Sequence, residues 1–195
     1  MIMQPSKAVL IFLTFSIFIS TQTKAQIIVK NYEKEWKQVD VFVQKQLPKS
    51  ALEQVKKIYQ LAKKEKQDAQ SIKALIYMTG LQNEITENGE AKAIADMEKE
   101  IATANEPAKS ILSSLSAEMY WNYYQQHRWQ LYNRTNTVPI DIGIKKDDIA
   151  TWTTDDLTKK ISELYLQSLK NSTLLQQTRL ETYDAIISKI IAMKR

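Results

Sequence analysis

The chain has 195 residues, with 27 Lys or Arg against 22 Asp or Glu, one His and no Cys, for a formal charge of +5. Without cysteine there is no disulfide bracing, thiol nucleophile or Cys-based metal site, and one His excludes a His-rich zinc site. Lys and Glu alternate in "EKEWKQ" and "KKEKQD", the pattern of a solvated helical face and not of a nucleic-acid footprint, so no nucleic-acid partner is expected.

At the N-terminus, Lys7 precedes the apolar run "AVLIFLTFSIFIS", and "TQTKAQ" follows it. Thirteen residues fall short of the roughly 20 that span a bilayer as a helix, and suit the apolar region of a secretory signal. The expectation is a signal peptide over residues 1–25 and an exported domain over 26–195, in the periplasm, cell envelope or medium. An uncleaved anchor is the competing reading. Loss of Lys7 and Lys24 takes the charge from +5 to +3, and no stable membrane span remains after cleavage.

Three Gly and four Pro among abundant Ala, Leu, Lys, Glu and Gln favour helix almost throughout. A first helix carries Tyr32, Trp36, Val39 and Val43 on one face and stops at Pro48. In the second, Ala51, Leu52, Val55, Ile58, Tyr59 and Ala62 recur at spacings of three and four, with Ser50 and Glu53 predicting a capping box. Asp68 opens a third helix with Ile72, Leu75, Ile76 and Leu81 inward, and "ENGEA" at 87–91 breaks it. A fourth helix runs through Ile94, Met97 and Ile101. The fifth spans about 106–132, with Pro107 in its first turn.

Turn formers dominate "NRTNTVPIDIGIKKDD". Asp155 and Asp156 then put negative charge at the start of a sixth helix. Asn171-Ser172-Thr173 separates it from a last one through "LETYDAIISKIIAMK". The fold class expected is all-α, about six to eight helices in antiparallel hairpins. Pairs beginning near Ala51 and Ala91 allow a tetratricopeptide-like array, and an irregular bundle is the alternative.

The stretch "EMYWNYYQQHRWQLYNRT" at 118–135 holds six aromatic residues and the only histidine. On a helical wheel Ile111, Leu112, Leu115, Met119 and Tyr123 form one stripe, and Tyr120, Tyr124, His127 and Leu131 another. Trp121 and Tyr132 fall nearly opposite the first. A helix apolar on more than one side is usually buried between neighbours, so Tyr120, Trp121, Tyr124, His127, Trp129 and Tyr132 are expected chiefly as core. Asn122, Gln125, Gln126 and Arg134 would then satisfy their polar atoms. The competing use is an aromatic platform for a glycan or peptide. Catalysis is not expected: His127 has no evident partner, and "HRWQLYN" superficially resembles a kinase catalytic loop with Trp129 where the essential Asp must stand. No cofactor or metal site is expected either. The Asp147-Asp148 and Asp155-Asp156 pairs lack calcium-loop spacing, and Asn133 and Asn171 begin sequons short enough to arise by chance.

As a collinear set, "LPKSALEQVKKIYQLAKKE", "AEMYWNYYQQHRWQLYNRT" and "DDIATWTTDDL" resemble the N-terminal helical region of the large exported alpha-2-macroglobulin-like proteins of Bacteroidetes bacteria, over residues 32–190. The resemblance implies a non-catalytic scaffold or interaction domain serving protease inhibition at the bacterial envelope, with macroglobulin domains or proteases as protein partners. Family members continue into β-sandwich domains, and some carry a Cys-Glu-Gln thioester. This chain has neither, so no protease-trapping residue carries over, and it reads as a leading fragment or a shortened relative. A stand-alone helical-repeat adaptor and an envelope glycan binder are the alternatives.

Overall fold

The computed structural model describes residues 30–87, 89–134 and 148–187, with Asn133 and Arg134 described by backbone alone. The signal-peptide expectation, Asn88, the turn-rich 135–147 and the end of the last helix lie outside the described residues. Within them the protein is all-α: α1 Glu33–Gln44, α2 Pro48–Lys64, α3 Asp68–Ile85, α4 Gly89–Thr103, α5 Ala108–Arg134, α6 Thr154–Leu169 and the short α7 Ser172–Gln177. Two 3-10 turns, Ile149–Thr151 and Leu180–Tyr183, flank the C-terminal part.

From α1 to α6 each helix packs antiparallel on its successor, and α3 also touches α5. Contacts fix the direction: Glu90 at the start of α4 meets His127 late in α5, and Asn171 after α6 reaches Glu106 before α5. Two apolar clusters result. One joins α1, α2 and α3 around Trp36, Val39, Val55, Ile58 and Leu81. The other joins α3 to α6 around Ile72, Met97, Leu112, Tyr120 and Leu157, and Tyr59 packs against both.

Several local expectations are corrected. The first helix ends at Gln44, before Pro48 is reached, and Val43 is exposed. Gln46 turns left-handed with φ 55°, and its N–H bonds the Val43 carbonyl while that of Leu47 bonds Phe42. This is a Schellman closure made without glycine. The same closure ends α2 at Lys66, φ 56°, through bonds to Lys63 and Ala62. The Ser50–Glu53 capping box does not form, because Pro48 already starts α2 one turn earlier with its φ preset and no N–H to satisfy. Ser50 is therefore inside the helix, and Glu53 pairs with Lys56 at 2.7 Å.

Pro107, joined to Glu106 by a cis peptide, precedes α5. Thr153, which was not singled out as a cap, makes a capping box with Asp156 at the start of α6. The expected last helix begins as a 3-10 turn at Leu180–Tyr183, and residues 184–187 continue as α-helix.

Three carboxylates tie the helices together in one recurring way. Glu65 accepts from the Tyr32 hydroxyl and Lys30. Glu100 accepts from Tyr59 and Lys63. Glu98 accepts from Tyr120 at 2.9 Å and from Lys160 at 2.5 Å. Each Tyr–Glu–Lys set gives a tyrosine O–H a charged acceptor while the ammonium balances the carboxylate, and charge-assisted bonds of this kind exceed neutral ones.

Burial, reinforced by the adjacent carboxylate, pushes the Tyr59 and Tyr120 hydroxyls above their ordinary range. Burial and Asp68 push Tyr183 up to about 12. Below pH about 10 these tyrosines are neutral in folded and unfolded chains alike, so their contribution is complete; above it the unfolded chain ionises first. Stability should therefore fall as pH rises through the folded-state values. Denaturant midpoints at pH about 9 to about 12 are expected to drop, less steeply in Tyr59→Phe, whose ring cannot ionise.

Gly80 lies exposed inside α3, and a Cβ there would meet nothing within 4 Å. Gly80→Ala is expected to raise unfolding free energy by about 0.5–1 kcal/mol, the difference in helix propensity, read as a higher midpoint at unchanged slope.

Candidate functional site

The aromatic stretch lies in α5, and its neighbours divide it. Near Tyr120, α5 is flanked by α4 and by the segment leading into α6: Tyr120 is 1% exposed, bonds Glu98, and stacks on Trp152 at 5.5 Å between ring centres. One to two turns on, Tyr123 is buried against His127, 4.2 Å between rings. The half-buried His127 reaches Glu90 at 3.3 Å. Because Glu90 is in the first turn of α4, the remaining residues of α5 run about 10 Å past the beginning of that helix.

The core expectation accordingly holds for Tyr120 and is overturned for three residues. Trp121 is 44% exposed, Trp129 73% and Tyr132 72%, while Leu131 is buried and Tyr124 half-buried. Among the described residues the bundle packs on one side only of this part of α5. At 100° per residue Trp121, Arg128 and Tyr132 share a stripe to within about 20°, flanked by Tyr124 and Trp129. Trp121 lies 5.6 Å from Tyr124, and the Arg128 guanidinium sits 5.4 Å over the Trp129 ring. The result is an outward aromatic face carrying one cation, with Asn122 exposed beside it and Gln126 and Gln130 exposed farther round the helix.

The polar partners expected from within the stretch are corrected for Asn122, Gln125 and Gln126 at Tyr120, and the Arg134 side chain lies outside the described residues. Tyr120 bonds Glu98 of α4 and none of Asn122, Gln125 or Gln126. Those side chains point away from Tyr120 on the helical wheel, whereas α4 faces it. The acceptors Glu65, Glu98 and Glu100 lie 33, 22 and 41 residues from the tyrosines they serve, too far for any periodicity to reveal. Asn171 occupies the N-cap position of α7 without a side-chain capping bond, and donates its side-chain N–H to Glu106 at 2.7 Å.

Elsewhere, a cavity of about 100 Å³ lies where α2 and α4 end and α3 and α5 begin, lined in part by Lys63, Asp68, Glu100 and Asn105. Glu100 is engaged by Tyr59 and Lys63, the Ser71 and Thr103 hydroxyls donate to the Gln67 and Glu100 carbonyls, and burial raises the Asp68 carboxyl above its ordinary range. Among the described residues no three His, Cys, Asp or Glu gather as metal ligands, and no helix is long and apolar enough to cross a membrane.

The exposed face permits a clean stability test. Trp129→Ala is expected to change unfolding free energy by no more than about 0.5 kcal/mol, as surface substitutions do. A loss above about 2 kcal/mol in chemical denaturation would place Trp129 in the core instead.

Comparison of the chain with protein-family models, with curated proteins and with solved structures finds no match.

Proposed function

We propose that the chain is a non-catalytic interaction module, exported to the envelope, that docks a protein partner on the outer face of α5. The observation carrying this is the exposure of Trp121, Trp129 and Tyr132 beside Arg128 on one helix, since aromatic and Arg side chains dominate binding energy at protein interfaces. The resemblance to the helical leaders of alpha-2-macroglobulin-like proteins supplies the context: the partner is a macroglobulin domain or a protease, and the role is protease inhibition. A stand-alone adaptor would use the same face.

The test is capture from solubilised envelope by immobilised residues 26–195, with bound proteins identified by mass spectrometry. A macroglobulin-domain protein or protease retained by the wild type and lost on Trp129→Ala/Tyr132→Ala supports the reading. Equal capture by both overturns it. The two exposed indoles with neighbouring Asn and Gln side chains also favour a second reading, an envelope glycan binder. That reading predicts co-sedimentation with cell-wall polysaccharide that the same double substitution abolishes.

A further inference from the structure

We infer that two copies of the chain pair through this face of α5, antiparallel and about a two-fold axis; the inference rests on reading the face as an interaction surface. Glu118, Trp121, Gln125, Arg128 and Tyr132 recur along α5 at spacings of three and four, and so line one face along which a second helix can lie. Glu118, Trp121, Arg128 and Tyr132 are exposed and Gln125 is half-buried, while the adjoining stripe with Tyr120, Tyr123 and Leu131 is taken up by the bundle.

The chemistry of the seam selects both the partner and the register. When two such helices run antiparallel and cross at the level of residue 123, Glu118 of each copy meets Arg128 of the other, and Trp121 meets Gln125. A two-fold axis makes every one of these contacts twice. The face is thus complementary in charge to itself, with one anion and one cation placed symmetrically about its centre. Trp129 and Tyr124 stand at the flanks, where they cover the seam. The bundle of each copy holds the side of its own α5 that carries Tyr120, Tyr123 and Leu131, away from the seam.

Charge reversal tests this without disturbing the core, since both charged side chains are exposed. In sedimentation equilibrium at up to about 100 micromolar, a range that detects micromolar dissociation constants, residues 26–195 are expected to form a dimer. Glu118→Arg and Arg128→Glu alone each place like charges across the seam twice, and each is expected to weaken the dimer at least tenfold. An equimolar mixture of the two variants restores both opposite-charge pairs and should form a heterodimer as tight as the wild-type dimer.

A wild-type chain that stays monomeric at the highest concentration, single reversals that leave dimerisation unchanged, or a mixture that fails to associate would each overturn the pairing. A monomer whose envelope capture still depends on Trp129 overturns the pairing alone. A dimer whose envelope capture is indifferent to Trp129 and Tyr132 overturns the docking proposal alone.

Discussion

Tyr120→Ala is expected to lower the unfolding free energy by about 3–5 kcal/mol, the range for removing a buried aromatic ring. Tyr120 is among the largest fully buried side chains and joins three elements. Its ring stacks on Trp152 ahead of α6, its hydroxyl bonds Glu98 on α4, and Lys160 of α6 reaches the same carboxylate. Truncation opens a cavity and deprives Glu98 of one donor at once. Tyr120→Phe separates the two effects: it keeps the ring and removes only the hydroxyl, which should lose about 1 kcal/mol, because Lys160 and water still serve the partly exposed Glu98. Denaturant midpoints of both variants at neutral pH check the prediction. Equal losses would assign the stability to the hydrogen bond, and a negligible loss in Tyr120→Ala would remove Tyr120 from the core.

Gly89→Ala should destabilise the protein by about 3 kcal/mol, at the upper end of what overpacking does. Gly89 is the buried first residue of α4, and a Cβ on it would stand 2.6 Å from the Gln82 carbonyl oxygen and 2.8 Å from Asn83 Cα. Both are backbone atoms of α3, so no side-chain rotation relieves the clash and the two helices must separate. The expected readout is a lower midpoint, and Gly80→Ala in the same series should move it the other way. A Gly89→Ala protein as stable as the wild type would show that α4 does not begin against the last turns of α3.

The two glycines illustrate how unevenly the fold is legible. Gly89 stands in a break marked by "ENGEA" and Gly80 in helical sequence, but only the neighbouring backbone shows that the first cannot carry a Cβ and the second can. The helix breaks near Pro48, Asp68 and Gly89 were readable because proline, helix-start carboxylates and glycine act locally. The ends at Gln46 and Lys66 were not, since a left-handed closure normally advertises itself by glycine and here uses Gln and Lys. The inward positions of α2, α3 and α4 followed from spacing, and Val55, Ile58, Ile72, Leu75, Ile94, Met97 and Ile101 are all buried.

By itself the sequence determined the helical class, the antiparallel succession of hairpins and most core positions, because propensity and the 3.6-residue period are local properties of a chain. It also located the richest aromatic helix. Tertiary structure alone decided what that helix does with its side chains. Period places Tyr120, Trp121 and Trp129 on faces of α5 without saying which faces have neighbours. Among the described residues, the start of α4 at Gly89, beside His127, leaves the end of α5 covered on one side only. For that reason Tyr120 is sealed against Trp152 and Glu98, while Trp121, Trp129 and Tyr132 face outward. Burial depends on where distant segments stop, and that information is carried by packing and not by any single helix.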